Sequence, residues 1–138
     1  SVLYHLKNPM KALKNFKLSG NDLLRIHFIG FYIEAIADEI RRTVRHARNL
    51  KLNPPQQAKL QQFLQKMNDY YLSTMKSVYN KDTELAFKVA EMKRGFDQEL
   101  DLWEEDVLKV PGLNKVLTRL QRLTSLIHNL DRILYTMQ

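Results

Sequence analysis

Four stretches of this chain, each longer than 25 residues, repeat apolar residues every three or four positions. The first, from about Asn21 to Lys51, carries Ile26, Ile29, Ile33, Ile36, Ala37, Ile40, Val44 and Ala47. The second, from about Pro55 to Asn80, carries Leu60, Phe63, Leu64, Met67, Tyr71, Met75 and Val78. The third, from about Asp82 to Leu108, places Leu85, Ala86, Val89, Met92, Phe96, Leu100, Trp103 and Val107 in register. The fourth, from about Gly112 to Met137, has Leu113, Val116, Leu117, Leu120, Leu123, Ile127, Leu130, Leu134 and Met137. All follow a period near 3.6, and none alternates as a strand does. A helix of that length spans about 40 Å. It has to bury its stripe against another helix of similar length.

The punctuation between stripes is short. Ser19-Gly-Asn-Asp22 offers a turn and an N-cap, and Asn53 followed by Pro54-Pro55 stops one helix and starts the next. Asp82 is a cap candidate after Asn80-Lys81, and Val110-Pro-Gly112 is a second stop. Short joints make successive helices antiparallel neighbours. The expected fold is therefore all-α: an antiparallel up-down bundle of three to four long helices over residues 21–138. Residues 1–20, interrupted by Pro9, read as a lead-in segment or the end of a preceding helix.

Composition narrows the function. The chain of 138 residues contains no cysteine, which removes thiol nucleophiles, disulfides and thiolate metal sites. No apolar run approaches the roughly 20 residues that span a bilayer. The chain starts at Ser1 with no signal-peptide pattern, so the expectation is a cytoplasmic protein or a fragment of one. The net charge of +7 is uneven. Nine acids against four bases between Asp82 and Lys109 give −5 there and leave +12 for the rest. That pattern suits mutual complementarity and a solvated surface.

Candidate chemistry is sparse. Glu34 and Asp38 lie one turn apart on one helix face, where a cation is needed to relieve their repulsion. Arg41 and Arg42 supply one within a turn; a metal ion held by Glu34, Asp38 and Asp97 is the alternative. Arg41, Arg45 and Arg48 share a face inside an acid-free basic run, a candidate anion-binding face. His5, His27, His46 and His128 fall in separate segments without partners at ligand spacing. No glycine-rich phosphate loop, nucleophile motif or cofactor motif occurs, so no enzyme activity and no cofactor are expected. Phe28, Phe31, Tyr32, Tyr70 and Tyr79 lie off the main stripes and point to a second buried face. A lead-in helix, a second bundle or another protein would cover it.

Phe31-Tyr-Ile-Glu-Ala-Ile-Ala-Asp-Glu-Ile40 resembles the acid-x-x-x-acid motif of PhoU-type helical bundles, with Glu34 and Asp38 in the motif positions. Asp82-Thr-Glu-Leu-Ala-Phe-Lys-Val-Ala-Glu-Met92 is similar to a second phrase of that family, and Asp97 matches its last acid while Lys93 replaces the first. Arg122-Leu-Thr-Ser-Leu-Ile-His-Asn-Leu-Asp131 looks like a third copy, with Ser125 and Asn129 where acids would stand. The resemblance covers about Asn21 to Met137. It implies a non-enzymatic regulator of phosphate uptake or of the phosphate response, including its transcription. Such a protein works through contacts with a transporter subunit, a sensor or a transcription-regulatory domain, as a homo-oligomer or stacked on a second bundle. It also implies that a divalent or ferric metal would sit on the clustered acids. Two other classes stay open: a basic helical module binding nucleic acid, and a carboxylate metal-binding bundle.

Overall fold

Residues 20–136 are described in a computed structural model, Asn21 by its backbone alone. The stripes become helices: α1 Gly20–Ala47, α2 Pro54–Asn80, α3 Thr83–Ala90, α4 Met92–Asp101, α5 Glu104–Val107 and α6 Leu113–Thr136. The described residues are all-α and pack as a bundle. The lead-in expected over residues 1–20 lies outside them, apart from Gly20, which opens α1.

The caps are local chemistry. Asn53 Oδ1 accepts from the Gln56 N–H at 2.9 Å, and Gln56 Oε1 accepts from the Asn53 N–H at 3.0 Å. This closed box, with prolines in the first turn, starts α2. Lys81 ends it in the left-handed region at φ 53°. Asp82 then accepts from the Leu85 N–H at 3.0 Å and starts α3.

The third stripe is one limb in three pieces, where the period alone predicts a single helix. At Glu91 the backbone stays right-handed helical and no side-chain cap forms, so the limb passes from α3 to α4 without a loop. At Trp103 the chain tightens: Leu102 and Trp103 donate to the carbonyls of Glu99 and Leu100, three residues back. Trp103 is buried there, with Lys59 Nζ 4.3 Å from its ring centroid. The buried Trp103 thus sits at the break between α4 and α5. Glu104, Glu105 and Asp106 fill the first turn of α5, where the helix dipole favours acids.

The last helix is the axis. α1, α2, α3 and α4 all pack on α6, with α5 touching it lightly. Leu113, Leu120 and Leu130 are fully buried along it, with Val116 and Ile127 almost so. Each such side chain contributes about 1.5–3 kcal/mol by leaving water. α1 runs antiparallel to α6: Glu39 meets Arg119 and Arg122, and further on Leu50 lies over Gly112. α4 is antiparallel to α2, with Phe96 edge-on to Phe63 and stacked on Tyr70.

Two expectations need correction. α1 and α2 are consecutive but not packed neighbours. Their connection carries Leu50 and Leu52, which pack on the core and carry the chain across the start of α6. α2 therefore descends on the other flank of α6, and the result is α2, the α3–α5 limb and α6 together with α1 applied to one side. The buried face of α1 is also rotated. Ile29, Ile36, Glu39 and Thr43 are buried, while Ile40 and Val44 of the predicted stripe are 46% and 49% exposed. Tyr70, placed off the α2 stripe by its spacing, is fully buried.

Candidate functional site

The rotation of α1 has a cause. Glu39 is 2% exposed and is held by two cations of α6. Arg119 Nη1 lies 3.4 Å from Oε1 and Arg122 Nε 3.3 Å from Oε2. The seam between α1 and α6 is thus clamped by charge at this level, with Ile36 and Leu123 packed beside it. The Thr43 hydroxyl donates to the Glu39 carbonyl at 2.8 Å, satisfying the next buried polar group.

Because α1 and α2 flank α6 without touching extensively, a groove opens between them. Ile36 and Ile40 of α1, Leu64, Met67, Asn68 and Tyr71 of α2, and Leu123 and Ile127 of α6 line it. Its volume is about 180 Å³, and its lining is almost wholly apolar. Burial pushes the Tyr71 hydroxyl above its usual pKa, so it stays neutral and adds no charge. On α1, Leu24, Phe28 and Phe31 are also exposed. Phe28 and Tyr32 border a second hollow with Asn129, Arg132 and Ile133. Of the off-stripe residues expected to form a second buried face, Phe28, Phe31 and Tyr79 are exposed, Tyr32 is half-buried and Tyr70 is fully buried.

The predicted acids stand apart from this groove. Glu34 is exposed on α1. Asp38 is held by Arg41 at 3.5 Å and Arg42 at 3.2 Å, which supply the compensating charge. Asp97 is on α4, bonded to Lys93 at 2.8 Å. It borders a cavity of about 400 Å³ with Asp101, Glu104, Asn114, Thr118 and Gln121. Among the described residues no three acids or histidines are grouped closely enough to hold a metal ion.

The predicted basic face is partly occupied. Arg41 is engaged with Asp38, while Arg45 and Arg48 are exposed and have no ion pair among the described residues. The antiparallel register brings exposed Lys115 of α6 to the same end, a contribution that local sequence spacing does not reveal, while Arg119 and Arg122 are engaged with Glu39. His27 is exposed beside Phe28, and His46 is half-buried on α1. Burial, then the charges of Lys93 and Arg132, hold the His128 pKa below its usual value. His5 lies outside the described residues. Among them no helix is long and apolar enough to cross a membrane.

Spacing also missed an internal polar group. Tyr70, Thr74 and Ser77 of α2 face Asp131 of α6, and all four are fully buried. Burial pushes the Asp131 carboxyl up to about 6, against a smaller opposing effect of the Ser77 hydrogen bond. The Tyr70 hydroxyl is pushed up as well, by burial first and then by Asp131. The signal was present in the sequence: Asp131 continues the core series Thr124, Ile127 and Leu134.

Compared with protein-family models, curated proteins and solved structures, the chain has no match.

Proposed function

We propose that this chain is a non-enzymatic regulatory bundle of the PhoU-like kind, acting on phosphate uptake or on phosphate-responsive transcription by docking against a partner protein. The observation that carries the docking is the apolar groove between α1 and α2, with Ile40 and Leu64 exposed at its rims. Apolar side chains concentrated along one flank of a helix bundle favour a helical partner laid into the groove. The partner helix would belong to a transporter subunit, a sensor, an attached transcription-regulatory domain or a second bundle. The phosphate assignment rests on the resemblance, chiefly on Glu34–Asp38 and the phrase beginning at Asp82. A cytoplasmic setting goes with it.

The test is phosphate uptake and phosphate-responsive transcription in cells lacking the gene, at high and low external phosphate. The proposal expects both to lose their dependence on external phosphate. Unchanged responses sink the phosphate assignment.

The basic end favours a second reading, in which Arg45, Arg48, Lys115 and their neighbours contact the phosphates of a nucleic acid. Salt separates the two. Phosphate contacts weaken steeply as salt rises, and an apolar groove contact does not.

A further inference from the structure

The polar cluster inside the bundle has no part in docking. Its geometry contains a proton-counting problem. Ser77 has one hydroxyl proton, and its Oγ stands 2.8 Å from the Thr74 carbonyl and 3.3 Å from Asp131 Oδ1. A carbonyl can only accept, so the shorter contact consumes the Ser77 proton. The longer contact then sets two acceptors against each other unless Asp131 provides the proton. Asp131 Oδ2, Tyr70 Oη and Thr74 Oγ1 have no hydrogen-bond partner among the described residues.

Among the described residues no cation is paired with Asp131. Its own helix brings His128, Arg132 and Tyr135, and α2 brings Tyr70. On α4, Lys93 is engaged with Asp97. On α3, Phe87 stacks on Tyr135, while Glu84 and Lys88 are exposed. On α1, Tyr32 reaches the level of Arg132 and Arg25 is paired with Asp22. Burial is the largest influence on the Asp131 carboxyl, and it raises it. An ionised carboxylate in that position carries a desolvation cost that the neutral carboxyl does not.

We propose that Asp131 is a proton-binding site of the folded bundle: its neutral carboxyl donates to Ser77 Oγ, and loss of that proton loosens the α2–α6 seam. The bundle therefore carries a pH-sensitive joint at the end of the molecule where α2 and α6 terminate. Between the unfolded carboxyl's value of 3.8 and the folded value of about 6, the native state binds a proton that the unfolded chain does not. Stability contributed by this group falls as pH rises through that window and is level above it.

The experiment follows the Asp131 side-chain carbon by NMR as pH is raised, alongside urea denaturation of wild type and Asp131→Asn. The proposal expects the resonance to titrate near pH 6 rather than near pH 4. It also expects the wild-type urea midpoint to fall relative to that of Asp131→Asn over the same interval. Hydrogen exchange of α2 and α6 amides near Ser77 and Asp131, corrected for intrinsic rates, should rise as the resonance titrates. A resonance midpoint near 4, or parallel urea curves for the two proteins, overturns the proposal. If Asp131→Asn does not fold, the wild-type titration alone decides.

Discussion

Removing either side of the Glu39 clamp breaks the same two contacts, yet the two removals should differ in cost. Glu39 is 2% exposed, so replacing Arg119 and Arg122 by Met strands a carboxylate that water cannot reach. Methionine keeps the aliphatic stems and limits the change to the lost charges. Stranding a buried charge costs about 3–5 kcal/mol. In Glu39→Ala the stranded groups are guanidinium side chains that are 32% and 64% exposed. They rehydrate, the desolvation of the carboxylate disappears, and solvent already screens the Arg122 contact. The expected loss is about 1–2 kcal/mol, mostly packing and one partly buried contact. Urea denaturation of the single, double and triple variants at neutral pH gives both values and their coupling. The reasoning fails if Glu39→Ala costs as much as the double arginine replacement.

Three further changes test local features of the fold. Asn53→Ala opens the capping box that starts α2 and should cost about 1 kcal/mol in urea denaturation. Lys81→Gly relieves the left-handed backbone at φ 53° and should raise stability by about 0.5–1 kcal/mol, seen as a higher midpoint at unchanged slope. Gly95→Ala should stabilise α4 by about 0.5–1 kcal/mol, since a Cβ there meets nothing within 4 Å.

Although buried Asp131 beside it was not legible, the apolar stripe of the last helix was, because it is unbroken and the rest of the bundle packs around it. The same holds for Trp103 and for the caps at Asn53 and Asp82, whose partners are within a few residues. The face of α1 was not legible. Its orientation is set by Arg119 and Arg122, some 80 residues away in sequence, which make a buried place for Glu39 that period counting assigns to Ile40. The order of helices in space failed for a related reason. Leu50 and Leu52 make the α1–α2 connection part of the core, and a connection that packs does not act as a simple hairpin. Of the candidate site residues, Arg41, Arg42 and Asp38 meet as their spacing requires, while the groove needs three helices and is visible in none of them alone.

In the proposed function the groove between α1 and α2 is the surface through which this bundle acts. The direct measurement is phosphate-dependent uptake in cells lacking the gene, supplied with either the wild-type chain or Ile40→Asp/Leu64→Asp. Both side chains are more than 40% exposed, so the variant should keep the wild-type helical signal and thermal midpoint. The folded variant is expected to leave uptake unregulated where wild type restores control. Full restoration by that variant would contradict the proposed function.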